Sequence, residues 1–461
     1  MTTFTEPERT VDPTRRRPLP PTPQAPPAQR GVALVGGAIA TVLVAYTLRT
    51  QGVPQAALLL LGVGLGFALF HARFGFTSAW RQLVAVGQGK ALRAHTVLLA
   101  ATAILFAPFL AAGVSPTGVE VAGYVAPVGV GVVVGATIFG FGMQIGGACA
   151  SGTLYAVGSG HSAILLTLGG FVVGATVGAA HMGWWEATPS MGPVSLSDLF
   201  GGTVGGLAVT LVVLGLIAAA TVLVGRRRNP PPVEPVATTT GVARVVRGAW
   251  PLWVGALALA VLNLGVLLVS GAPWGVTTAF ALWGSKAAGA LGLADPAAWG
   301  FWSGPRADVL SGSVLAESTS LTNFGIMVGA LIASGLAGAF TLHRRIPGRL
   351  ALGAVIGGLL MGYGARLAYG CNIGGLPRWD RLDEPARLGL GDHGAPRHLD
   401  RTAGPPGLRT LPPPPHRRGV LSRYGDPATS GTGGWGDAQA RRCLEPSRQL
   451  EAMAESRTGR R

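Results

Sequence analysis

Two segments of the chain carry the same pattern of reactive and small residues. Around Cys149 the sequence reads GFGMQIGGACASG (140–152), and around Cys371 it reads GYGARLAYGCNIG (362–374). Both fit G-x-G-x-[QR]-x4-C-x-x-G, so Gly140, Gly142, Gln144, Cys149 and Gly152 match Gly362, Gly364, Arg366, Cys371 and Gly374. A cysteine offers a polarizable sulfur and a weak S–H donor. Glycines at these spacings let backbones approach closely and let a helix break. A helix broken at membrane depth exposes N–H groups and a partial positive charge, which favour an anion. The chemistry on offer is therefore an anion-favouring helix end beside a polarizable sulfur. One buried, glycine-flanked cysteine is by default an inert small hydrophobe; two in matching slots of a repeat point to function.

The neighbours of the cysteines set the rest of the expected binding site. Gln144 and Arg366 share one slot, five residues before each cysteine. A charge inside an apolar span is expensive and faces a cavity or a partner; near the interface the same arginine snorkels. The sequence leaves both readings of Arg366 open. Asn372 either donates a hydrogen bond or caps a helix. Gly142, Gly147, Gly152, Gly364, Gly370 and Gly374 are expected to line the path. His71, His95, His161, His181 and His343 lie at span ends without metal-ligand spacing, so neither a metal nor a cofactor is expected. No G-x-x-x-x-G-K-[ST] loop signals ATP hydrolysis. No evident base stands beside either cysteine, so no catalytic residue is assigned and an enzyme is not expected. Lys286 reads as interfacial, Trp184, Trp185, Trp299 and Trp302 as interface belts, and the glycines at 201–206 as helix-packing residues.

These residues must be held by membrane-spanning elements. Of 461 residues, 49% are hydrophobic and 12% charged, against about 25% charged in a soluble globular domain. That balance excludes an ordinary cytosolic enzyme, a disordered chain and a disulfide scaffold. The net charge of +16 sits at the ends of apolar runs and in the tails, as the positive-inside rule distributes it. Basic and aromatic residues do not interleave in a soluble block, which argues against nucleic acid as a partner. The expected fold is all-α and polytopic, with the lipid bilayer as its surroundings. Spans are predicted at 31–48, 54–70, 95–112, 121–143, 162–181, 200–225, 249–271, 321–342 and 349–370, with interrupted, short or re-entrant pieces at 71–92 and 272–292.

The order of elements repeats: span, broken piece, span, span, glycine-cysteine segment. FGFTSAW (74–80) also resembles WGVTTAF (274–280). Threading nine spans in order reverses the second set relative to the first, so two inverted repeats are expected, with a substrate path at their interface. The predicted organisation is a basic tail (1–30), a first membrane half (31–225), a cytoplasmic linker (226–248), a second half (249–375) and a polar Arg/Pro-rich tail (376–461). Charge places the N-terminus in the cytoplasm, with the protein as a multi-pass protein of the cell membrane. The second half ends just after its cysteine, short of two spans that the first half possesses, and LRTLPPPPHRR (408–418) begins no apolar run. A frameshifted ending is one reading of that change; a genuine tail is the other.

At these motifs the sequence resembles the YeeE/YedE family of sulphur-compound transporters. The resemblance covers roughly residues 55–375 and rests on GFGMQIGGACASGTLY (140–155), MGYGARLAYGCNIGG (361–375) and the less specific RFGFTSAWR (73–81). It implies two inverted halves forming an hourglass, with thiosulfate or a related sulphur anion passing a constriction by transient contact with thiols. By motif match these thiols are Cys149 and Cys371. Some members carry a further cysteine where this chain has Gly75, and the family continues after the second motif with further apolar helix. The competing readings are a membrane sulphurtransferase, passing persulfide sulphur to a TusA-like or rhodanese-type carrier, and a channel for another small solute in which the cysteines merely pack.

Overall fold

The computed structural model describes residues 26–370 apart from 124–126, 194, 231–240, 242 and 344. All of them fall in one of the two units into which the chain divides, Met1–Leu382; Asp383–Arg461 forms the other. Cys371, Asn372, Gly374 and the tail 376–461 lie outside the described residues.

Among the described residues, the α-helices of nine residues or more are α1 Arg30–Thr50, α2 Val53–Ala72, α3 Phe76–Val86, α4 Lys90–Ala112, α5 Val130–Gly146, α6 Ala150–Gly158, α7 Ser162–Ala180, α8 Thr203–Arg228, α9 Leu252–Ser270, α10 Thr277–Ala290, α11 Ser318–Leu336 and α12 Gly348–Leu367. Among the described residues nine segments are long and apolar enough to cross a membrane, two of them (53–86 and 130–158) running on into a short helix. The protein is a multi-pass membrane protein. Its helices close their own backbone hydrogen bonds, as hydrocarbon requires. The interrupted pieces hold the short helices α3 and α10.

Lipid is as apolar as leucine, so helices must associate by close packing rather than by a hydrophobic drive. Glycines supply the approach. In the α2–α11 seam, a Cβ on Gly62 would meet the Thr322 and Gly325 backbone, and one on Gly329 would meet Val63. Gly170 and Gly174 face the Val355–Leu359 backbone in the α7–α12 seam, and Gly358 and Gly362 return the contact. Both pairs run parallel. Two further pairs run antiparallel: α2 on α9, through Gly64 on Leu262 and Gly265 on Leu61, and α5 on α12, through Gly142 on Met361 and Gly135 on Leu367. α9 also packs along α4.

The structure corrects several expectations. α5 begins at Val130, not near 121: Pro127–Gly129 is a short strand antiparallel to Ser190–Pro193. Gly129 is extended there (φ −155) and lies against the backbone of Pro189 and Ser190. α11 starts at Ser318 because Glu317 caps it, accepting from Thr319 N at 2.9 Å and Ser320 N at 2.6 Å. It stops at Leu336, after which Gly338 turns in the left-handed region (φ 68). Gly201 and Gly202 form the left-handed entry to α8, and a Cβ on either would meet nothing within 4 Å. Trp302 is no belt residue: it is buried and donates to Ser285 Oγ at 3.0 Å. Trp184 is exposed as expected, whereas Trp185 donates to the Tyr363 hydroxyl at 2.9 Å, where His181 Nδ1 also lies 3.3 Å away. Tyr363→Phe should therefore cost about 1 kcal/mol of stability, read as a lower unfolding midpoint in detergent; an unchanged midpoint would remove these bonds from the account of stability.

Candidate functional site

Each motif begins as a helix and then breaks. α5 ends at Gly146, and Gly147 follows in the left-handed region (φ 78). α12 ends at Leu367, and Tyr369 takes the same conformation (φ 56), with Tyr369 N bonded to Arg366 O and Gly370 N to Ala365 O. Gly147 and Tyr369 each stand two residues before their cysteine. Glycine adopts this conformation freely, whereas a tyrosine there is opposed by about 1–2 kcal/mol. The break therefore belongs to the motif and not to glycine alone.

After the first break Cys149 becomes the N-cap of α6. Its backbone is extended (φ −88, ψ 179) and its Sγ accepts from Gly152 N at 3.4 Å. Ser151 Oγ lies 3.6 Å from the same sulfur. The thiol is free and 3% exposed. Gly152 makes room for it, since a Cβ there would stand 3.1 Å from Sγ.

The other expected site residues separate into two groups. Gln144 is half-buried, and with Trp80, Gly140, Ala368 and Gly370 it lines a groove of about 550 Å³ beside α5. Arg81 Nη2 donates to its carbonyl at 3.0 Å. The groove brings one residue set from each motif onto a single surface. Gly142 and Gly364 instead lie in the α5–α12 seam, Gly142 against Met361 N and Gly364 against Phe139 N; they pack helices. α5 and α12 run antiparallel. Gly135 sits at the level of Leu367, and Gly146 at that of Gly357. By the rise of a helix the breaks at Gly147 and Tyr369 are about 20 Å apart.

Arg366 does not snorkel. It is 6% exposed, donates from Nη2 to Thr277 Oγ1 at 3.3 Å, and lies over the Phe301 ring, Cζ to centroid 5.1 Å. Thr277 opens α10. The chain before it is held by two buried asparagines: Asn263 Oδ1 accepts from Trp274 N at 3.0 Å, and Asn323 Nδ2 donates to Val276 O at 2.9 Å. In the corresponding place before α3, His95 packs on Phe74 and Phe76, ring centroids 4.3 and 3.9 Å away. Thr77, Thr277, Asn263, Asn323 and Phe301 were not singled out from the sequence. The FGFTSAW/WGVTTAF match was the signal for the threonines, because it sets Thr77 on Thr277. Lys286 is half-buried. His161, outside the spans at the entry to α7, is kept neutral by burial, its pKa pushed down from the usual histidine range with the His343 ring 6.2 Å away. No cluster of metal-ligating side chains exists among the described residues.

Among the described residues, nine helical segments long and apolar enough to cross a membrane, two helix breaks, and a buried thiol and guanidinium define a multi-pass membrane protein with polar groups in its interior. The chain belongs to the sulphur transport family, whose pattern it matches over residues 71–376. It is 29% identical over 171 residues to a protein named Probable transporter YedE from Escherichia coli, covering 36% of this chain and 40% of that protein. It is also 29% identical over 333 residues to the thiosulfate transporter TsuA of Spirochaeta thermophila, covering 68% of this chain and 88% of that one. The TsuA of Escherichia coli is 25% identical over 333 residues, 68% of this chain and 84% of that one. The chain thus spans about two fifths of the YedE protein and most of each TsuA.

Proposed function

We propose that this protein imports thiosulfate or a closely related sulphur-containing anion across the bacterial cytoplasmic membrane, along a path through its two membrane halves that carries the Cys149 and Cys371 thiols. The observation that carries this reading is the helix break that both motifs share, two residues before each cysteine, which in the first motif sets the Cys149 thiol at the start of α6. The alignment over 333 residues with the thiosulfate transporters adds to it. A dianion loses hydration on entering such a path, at a cost of many kcal/mol without partners. S–H and N–H donors offset part of that cost while remaining weak enough for release. The site Cys149, Cys371, Gln144, Arg366 and Asn372 then works as successive contacts along the path rather than as one ring.

The two halves, 31–225 and 249–375 joined by the linker 226–248, are read as inverted repeats. The antiparallel pairing of α2 with α9 and of α5 with α12 supports this, since each pair matches the same element of the two halves. The linker side is read as cytoplasmic, with the N-terminus on that side. Arg93 on Thr221 Oγ1 at 3.3 Å and Arg228 on Val84 O at 2.7 Å gather basic residues from α3–α4 and α8 there. A TusA-like or rhodanese-type carrier is the class of soluble partner that would take sulphur from such a path.

The test is uptake of radiolabelled thiosulfate by cells lacking their own uptake system and expressing this chain. Uptake above the empty-vector control is expected; none would overturn the reading. A stable persulfide trapped on Cys149 and found by mass spectrometry would instead favour sulphur transfer to a carrier. Arg366→Met, which keeps length and removes charge, should lower uptake about tenfold, the scale of one charge-assisted hydrogen bond. Wild-type uptake by that variant would take Arg366 out of the path.

A further inference from the structure

Thr77 and Thr277 hold the same place in the two halves, at the first turn of α3 and of α10, yet their surroundings differ. The Thr277 hydroxyl accepts a bond from Arg366. Thr77 is 4% exposed, and its hydroxyl has no partner among the described residues. Buried hydroxyls are nearly always bonded, and an unbonded one asks for an occupant the protein does not itself supply. The helix that Thr77 opens is 11 residues long, and its N-cap, Gly75, contributes no side-chain bond to the first N–H groups. Those groups and the helix dipole favour negative charge.

A second hydroxyl stands at the same point. A Cβ on Gly75 would be 3.9 Å from Tyr155 Oη and 3.4 Å from Ser78 Oγ, with nothing nearer. Ser78 is already committed to Gly75 O at 3.0 Å. The Tyr155 hydroxyl makes no hydrogen bond among the described residues. Tyr155 lies six residues along α6 from Cys149, which caps that helix, and both the Cys149 thiol and the Arg73 guanidinium are near enough to act on its hydroxyl.

We propose that Thr77, Tyr155 and the free N–H groups at the start of α3 form an oxygen-binding step of the path, next to the Cys149 thiol. The proposal rests on the transport reading above and names the residues that determine specificity at this step. A thiosulfate-like anion has two chemically distinct ends. Its oxygens are hard acceptors suited to hydroxyl and N–H donors, and its terminal sulfur suits the polarizable thiol. At Thr277 a guanidinium bonds the threonine itself, whereas at this step the Arg73 guanidinium lies near the Tyr155 hydroxyl and Thr77 is left to the anion.

The test uses the full chain in proteoliposomes, with labelled thiosulfate uptake measured against concentration. Thr77→Val keeps the shape and removes the hydroxyl; Thr77→Ser keeps the hydroxyl. Thr77→Val and Tyr155→Phe should each raise KM about tenfold, the scale of one hydrogen bond to a charged group, while Thr77→Ser stays within about twofold of wild type. KM values for Thr77→Val and Tyr155→Phe equal to wild type would overturn the proposal. Thr77→Ser as impaired as Thr77→Val would also overturn it, because the methyl group rather than the hydroxyl would then matter. Wild-type protein that takes up no thiosulfate would instead defeat the transport reading, and this proposal with it.

Discussion

Cys149→Ala should lower thiosulfate uptake at least tenfold at subsaturating concentration while leaving the protein folded. The variant removes the one described thiol on the proposed path, 3% exposed and set at the break between α5 and α6. It also removes the acceptor for Gly152 N. An N-cap lost to alanine costs about 1 kcal/mol, which a protein of this size tolerates, so folding and transport are separable. Cys149→Ser supplies the control. Its hydroxyl can still accept from Gly152 N and restore the cap, yet it is harder and less polarizable than a thiol. If soft contact with sulfur matters, the serine variant recovers stability without recovering uptake. Uptake equal to wild type in Cys149→Ala would show that the thiol only fills space. Uptake restored fully by serine would show that any small hydrogen-bonding group suffices.

The largest effect on folding is expected at the glycine seams. On α7, Gly174 and Gly169 are five residues apart but face different surroundings. A Cβ on Gly174 would run into the Leu359 carbonyl oxygen and stand 2.9 Å from its Cα. A Cβ on Gly169 would meet nothing within 4 Å. Backbone cannot move aside as a side chain can, so Gly174→Ala must push α7 and α12 apart. Overpacking of this kind costs about 3 kcal/mol. Gly169→Ala should stabilise by about 0.5–1 kcal/mol, because alanine replaces glycine in a helix without a clash. Folded yield by size exclusion and unfolding midpoints in detergent would read both. Equal behaviour of the two variants would contradict the packing described for α7 and α12.

The spans and the paired breaks were legible in the sequence because hydropathy and glycine spacing are local signals. The limits of α5 and α11 were less so: a strand pairing with residues 190–193 delays one helix, and the Glu317 cap advances the other. Arg366 shows the limit at the site. From sequence it fits both a snorkelling and a buried reading; Thr277, 89 positions away, and Phe301 decide for burial. The glycines of the motif divide in the same way. Gly147 turns the chain, while Gly142 and Gly364 bring α5 and α12 together, and one spacing pattern encodes both tasks. The antiparallel course of that pair, which separates the breaks, depends on contacts across more than 200 residues and has no local signal.

The exchange of helices between the halves has a consequence for biogenesis. α2 finds its closest neighbour in α11, and α4 lies along α9, so neither half owns a complete interior. During synthesis α2 enters the bilayer more than 240 residues before α11 exists, and its bare glycine ridge must wait for a mate. A chain cut within the linker should therefore yield two fragments that are each degraded alone and rescued when made together.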